Sequence, residues 1–146
     1  MATLVDTNVL IDVFHTPSDF TLWSTTQLAA ARSAGPLLIN PLIYAEMAAG
    51  YAVQDGLEAA LAPSLFRREE LPWEAAFAAG HVFLQYRRSG GDRRSPLPDF
   101  YIGAHAMVKG YRLLTRDTPR YRTYFPLLTL ISPETHPLSS WQRTSP

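Results

Sequence analysis

Four carboxylates stand where side chains could hold a metal ion: Asp6, Glu46, Asp99 and Asp117. Asp6 ends the apolar run Thr3-Leu4-Val5, and Asp117 comes two residues after Thr115, which closes the strand-like run Arg112-Leu113-Leu114-Thr115. In open parallel sheets, ligands bind beyond the carboxyl ends of the strands, so acids at two strand ends can serve one site. Turn or helix-cap roles account for the same two positions without any chemistry. Glu46 shares a predicted helix with Leu42, Ile43, Met47 and Gly50, and spacings of three and four put it beside their apolar face. A charge there must be protonated, paired with an arginine, or bound to a cation. Asp99 follows Pro98 at the start of a predicted helix, where capping again competes.

If the four converge, they cannot all stay ionised without a compensating cation. Ligands that are all oxygen suit Mg²⁺ or Mn²⁺, whereas zinc more often recruits histidine or cysteine, and the chain has no cysteine. Such a centre can polarise a scissile phosphate, lower the pKa of a bound water and stabilise the leaving oxygen, which is phosphodiester hydrolysis. A metal-independent ribonuclease would need a histidine as general acid or base. His15, His81, His105 and His136 show no such pairing, and His105 reads as a packed or surface residue. Trp23, Trp73 and the tyrosines could stack bases, but aromatics at helical spacing are read as core.

The elements that must position these acids alternate between strand and helix. Strand Thr3-Leu4-Val5 leads into a helix with Val9, Leu10, Val13 and Phe14 on one face, which turns Asp12 toward solvent. Residues 19–34 form a helix with Asp19 as N-cap, closed by Gly35-Pro36 and followed by the buried strand Leu37-Leu38-Ile39. Asn40 caps the helix of Glu46, with Pro41 in its first position. Residues 55–62 suggest a short helix, residues 64–71 an ambiguous piece with strand character, and residues 73–88 a longer helix. Residues 89–98 form a loop without apolar periodicity. A helix over 99–109 carries Ile102, Ala106 and Met107 on one face, then the chain passes Gly110 into the strand 112–115 and turns at residues 116–121. A last strand lies within 127–131, and a weakly ordered tail begins near Ser132. The alternation predicts an α/β fold with a central, mostly parallel sheet flanked by helices, in a single domain spanning residues 1–146.

Net charge is zero, but its distribution is uneven. Residues 1–86 carry nine acids against Arg32, Arg67 and Arg68, whereas residues 87–122 carry eight arginines and Lys109 against Asp92, Asp99 and Asp117. That basic segment suits phosphate contacts, although a solvated surface biased toward arginine accounts for it too. The absence of cysteine and of a long apolar run makes a cytoplasmic protein, with no membrane attachment, the expectation.

The ordered set resembles the PIN-domain family and, within it, the VapC-type toxins of bacterial toxin–antitoxin pairs. LVDTNVLID (4–12) resembles the opening strand with its Asp-Thr-Asn signature, and PLIYAEM (41–47) the central helix with its glutamate. LPDFYIGAHA (97–106) and LLTRDTPRYRTYF (113–125) resemble the third and fourth acidic motifs. The resemblance implies that Asp6, Glu46, Asp99 and Asp117 are catalytic ligands of Mg²⁺ or Mn²⁺ in an endoribonuclease. Thr115 would place a hydroxyl near the metal or its water, and Asn8 would brace the acids; a strand hydroxyl and a helix cap are the alternatives. Arg93, Arg94 and Arg116 would contact RNA, with Arg120 and Arg122 nearby, though some of these arginines can instead neutralise the carboxylates when no metal is bound. A small antitoxin protein and a homodimer are the implied partners. The competing readings are a phosphatase of the haloacid dehalogenase type, which needs an acid where Asn8 stands, and a non-catalytic receiver-like or RNA-binding module.

Overall fold

Strand β1 (Thr3–Val5) is buried along its whole length and pairs in parallel on both sides, with β2 (Leu37–Ile39) and with β4 (Arg112–Leu114). In the computed structural model, which describes residues 1–91 and 97–139, β3 (Phe66–Arg68) extends the sheet beyond β2, and β5 (Leu130–Ile131) extends it beyond β4. The order β3-β2-β1-β4-β5 is parallel throughout, as the continuous apolar runs of β1 and β2 require of strands covered on both faces.

Parallel neighbours need crossovers, and the seven helices among the described residues supply them. α1 (Thr7–Phe14) and α2 (Thr21–Ala34) link β1 to β2. α3 (Pro41–Ala48) and α4 (Gln54–Ala60) link β2 to β3, α5 (Trp73–Arg88) and α6 (Leu97–Lys109) return the chain to β4, and α7 (Thr118–Tyr124) precedes β5. The chain first moves outward from β1 to β3 and then crosses back to lay β4 on the other side of β1. The crevice at that reversal lies at the carboxyl ends of β1 and β4, where Asp6 and the segment Thr115–Asp117 emerge. The core behind it includes Leu4, Leu10, Ile43, Phe100, Leu113 and Phe125. Among the described residues no helix is long and apolar enough to cross a membrane.

Local signals act as expected in several places. Asn40 accepts the Ile43 N–H at 3.0 Å with Pro41 opening α3, and Gly110, at φ +70°, ends α6 in a left-handed conformation that suits glycine. Gly103 has a different reason: a Cβ there would come within 2.7 Å of the Phe125 ring, so its bare backbone lets the end of α7 pack on α6.

Three readings of the elements need correction. Asp19 does not cap α2; the helix begins at Thr21, and Ser18 organises the entry, its N–H donating to Thr21 Oγ1 and its Oγ accepting from Phe20 N–H. The turn at 116–121 is the start of α7, where Pro119 has its φ preset for the first helical turn. Met107 is 38% exposed, because the buried face of α6 runs through Phe100, Ile102 and Gly103 to Ala106. The stretch after β5 is tied down at its start: Ser132 is buried, and Trp23 Nε1 of α2 donates to the His136 carbonyl at 2.7 Å. The last strand itself shrinks to Leu130–Ile131, the two residues in register with Leu113 and Leu114.

Candidate metal centre

Asp6 leaves β1 in extended conformation and occupies the N-cap position of α1, with only 4% of the residue exposed. Its carboxylate accepts four hydrogen bonds. Oδ1 takes the Thr7 N–H at 2.8 Å, while Oδ2 takes the Thr115 hydroxyl at 2.8 Å, the Tyr121 hydroxyl at 3.1 Å and Asn8 Nδ2 at 3.3 Å. These donors favour the charged form, but burial outweighs them and the charge of Asp99 adds to it, so the Asp6 pKa is pushed up to about 7.

Thr115 and Asn8 stand against Asp6 as a linked pair. Thr115 Oγ1 accepts from Asn8 Nδ2 at 3.3 Å and from the Asp117 N–H at 3.0 Å, while Asn8 Oδ1 accepts the Arg116 N–H at 3.1 Å. The ends of β1 and β4 are thereby stitched together at the mouth of the crevice. Asn8 spends its amide as a donor to Asp6, where a phosphatase of the rival type would need an acid.

Glu46, on α3, is exposed at the residue level, and its Oε1 accepts the Thr7 hydroxyl at 2.8 Å. No arginine pairs with it among the described residues. Partial burial of the carboxylate, followed by the charge of Asp99, raises its pKa. Asp99 lies in the first turn of α6 and accepts from Arg120 Nη1. Burial raises its pKa against the opposing pull of Arg120, and the charge of Asp117 pushes the same way as burial. Asp117 sits at the N-cap position of α7 without capping it, and its Oδ2 lies 3.6 Å from the same Arg120 nitrogen. Asp99 is thus the carboxylate whose charge acts on, or is acted on by, each of the other three. Asp117 makes no capping hydrogen bond to α7, so the helix-cap role does not account for it.

The donor set is all oxygen, and three of its carboxylates have raised pKa values, an unmet demand for positive charge that a hard divalent cation fits. Among the described residues no three His, Asp or Glu side chains stand close enough together to form a ligand set as they are, and Arg120 is the cation shared by Asp99 and Asp117. The residues fit the ion in chemistry and charge; closing on it requires side-chain movement.

Other expected site residues fare differently. Arg93 and Arg94 lie outside the described residues. Arg116 is committed elsewhere: its Nε lies 2.7 Å from Asp12 Oδ2, and its guanidinium stacks over the Phe20 ring at 4.9 Å. Asp12 itself is a correction, for it is 2% exposed and not turned to solvent. α2 covers that side of α1, and Asp12 accepts the hydroxyls of Ser18 at 2.8 Å and Ser24 at 2.7 Å while forming the ion pair with Arg116. His105 is packed, as read, between Asn40 and Glu69. A cavity of about 310 Å³ lined by Ile39, Asn40, Tyr44, Arg68 and Glu69, among others, includes none of the four acids.

Tyr121 is the site residue that sequence reasoning missed. Burial, then the charges of Asp6 and Asp99, hold its pKa far above the ordinary phenol range, so its hydroxyl remains a donor to Asp6. The available signal was its spacing: four residues after Asp117 on α7, it faces the same side as that acid, and a buried tyrosine hydroxyl needs a partner.

The chain matches the PIN domain family over residues 3–126. No curated protein matches it in sequence. Among solved structures it is similar to VapBC2 from Rickettsia felis bound to a DNA fragment from the promoter, with TM-score 0.70, 17% identity, and coverage of 90% of this chain and 98% of that one. A DNA-bound VapBC from Salmonella typhimurium gives TM-score 0.67 at 16% identity, with coverage of 90% and 98%. A toxin–antitoxin complex from Klebsiella pneumoniae gives 0.64 at 22%, with coverage of 90% and 97%. At these identities the likeness is one of fold. The family match runs from β1 through α7 and takes in all four acids, and on that ground the chain belongs to the PIN-domain family.

Proposed function

We propose that this protein is a metal-dependent endoribonuclease and the toxin of a VapBC-type toxin–antitoxin pair, with Asp6, Glu46, Asp99 and Asp117 as the ligands of Mg²⁺ or Mn²⁺. The observation that carries the reading is geometric: Asp6 emerges from β1 at the sheet's switch point, and Asp99 and Asp117 meet over a single Arg120 nitrogen beside it. A bound divalent ion would supply Lewis-acid activation of the phosphodiester and an acidified water. The chain's own residues prepare for it: Thr115, Asn8 and Tyr121 fix the Asp6 carboxylate, and Thr7 aims Glu46. RNA is the proposed substrate, drawn by the arginines of the basic segment, Arg93 and Arg94 included. Arg116 contributes to that field as a charge held near the site by Asp12.

An antitoxin partner and a homodimer are part of the same proposal, supported by neighbours that are VapBC complexes by name. The stripe on α5, where Trp73 is 88% and Phe77 74% exposed and Leu84 continues it, supports a protein partner there. On this reading the protein acts in the cytoplasm.

Purified protein should cleave RNA in Mg²⁺ or Mn²⁺, and EDTA or Asp99→Asn should stop cleavage while circular dichroism shows the fold intact. Undiminished cleavage by folded Asp99→Asn, or in EDTA, would sink the metal mechanism. Growth arrest on expression, relieved by a co-expressed small partner, tests the toxin role separately.

A further inference from the structure

Arg120 reaches two of the four acids with one nitrogen: Nη1 donates to Asp99 Oδ2 and lies 3.6 Å from Asp117 Oδ2. A guanidinium keeps its charge at any pH a protein meets, so a permanent cation sits where the two carboxylates approach each other. Helix α7 builds this arrangement. Asp117 stands at its N-cap position, and Arg120, three residues on, lies on the same side of the helix. Among the described residues these two carboxylates are the only acceptors Arg120 meets. Its side chain is 35% exposed, so water already reaches the guanidinium. Arg116, the other arginine at this edge, is paired with buried Asp12 and touches neither carboxylate.

We propose that Arg120 is a built-in competitor for the metal: it holds Asp99 and Asp117 in the metal-free protein, and a divalent cation must displace it to bind them. The inference rests on the reading of those two acids as metal ligands. It explains how two half-buried, mutually repelling carboxylates are held near one another before a metal arrives without forming a ligand set. Displacement leaves the guanidinium beside the acids with its planar fork free, the geometry that suits a phosphate.

The sign of one measurement separates competition from support. A residue that merely gathers ligands weakens metal binding when it is removed, whereas a competitor strengthens it. Mn²⁺ binding, followed by calorimetry or by the electron paramagnetic resonance of free Mn²⁺, should be about fivefold or more tighter in Arg120→Gln than in the wild type, with Arg120→Lys in between. The melting temperature of Arg120→Gln should be lower than that of the wild type in EDTA and should rise further on adding Mg²⁺. Equal or weaker Mn²⁺ binding by folded Arg120→Gln overturns the inference and leaves the metal reading standing. If Arg120→Gln does not fold without metal, Arg120→Lys decides: binding no tighter than wild type overturns the inference. A wild type that binds no Mn²⁺ at millimolar concentration overturns the metal reading and the inference together.

Discussion

The Tyr121 hydroxyl donates to Asp6 Oδ2 across 3.1 Å, joining residues 115 positions apart in sequence and tying α7 to the end of β1. Tyr121 is fully buried, so its ring fills core while its oxygen supports a charge. Tyr121→Phe keeps the ring and removes the donor. In EDTA at pH 8 this should cost about 1–2 kcal/mol, measured by urea unfolding, because a buried carboxylate loses one of its hydrogen bonds. At pH 5 the loss should be smaller, since Asp6 is then protonated and needs the donor less. A loss independent of pH would mean that the hydroxyl serves packing alone.

Stability without metal should fall with pH. The Asp6 pKa is raised to about 7, so the folded state binds a proton that the unfolded state, near 3.8, releases earlier. That contribution is complete below about pH 4 and is lost as pH rises through about 7. The span is on the order of 4 kcal/mol for a fully buried group, and Glu46 and Asp99 shift in the same direction. Unfolding in EDTA from pH 5 to pH 8 should therefore show declining stability, and Mg²⁺ should raise the melting temperature more at pH 8 than at pH 5. A flat profile in EDTA would refute the raised Asp6.

Gly103→Ala tests how the site is braced from behind. The new methyl would meet the Phe125 ring at 2.7 Å and Tyr121 at 3.1 Å. Overpacking of this kind costs about 1–3 kcal/mol, and it pushes on α7, which carries Tyr121 and Arg120. Metal affinity should change together with stability. Destabilisation with unaltered Mn²⁺ binding would show that α7 can shift without disturbing the acids.

Asp12→Ala should act on the fold rather than on the chemistry. It strips the acceptor from the Ser18 and Ser24 hydroxyls and leaves the Arg116 guanidinium over Phe20 without its counter-charge. The expected cost is about 3 kcal/mol, the low end for breaking a buried pair because Arg116 is partly exposed. Urea unfolding measures it, and a loss under 1 kcal/mol would place Asp12 among ordinary surface acids.

Much of the fold is legible in the residues, and the readings that fail do so for different physical reasons. Strand ends, the Asn40 cap and the alternation of elements follow from local patterns, and so the switch point and its two acids could be placed in advance. Asp12 went wrong because helical periodicity sorts faces by one sheet and assumes water on the other side, whereas α2 packs there. α7 was hidden by Asp117, Thr118 and Pro119, which mark a turn as readily as a helix start. The centrality of Asp99 had no local signature at all, since it arises from α6 laying one carboxylate among acids carried by β1, α3 and α7.

The bonds that join Asp6 to Thr115 and Tyr121 span 109 and 115 residues. A chain emerging during synthesis therefore carries Asp6 and Glu46 long before the strand and helix that complete their surroundings exist. Contacts this distant must meet a large loop-closure entropy before they form. Assembly order thus becomes a safeguard: on the proposed activity, unfinished chains and fragments ending before β4 are harmless to the cell that makes them, and cutting begins only with the finished molecule.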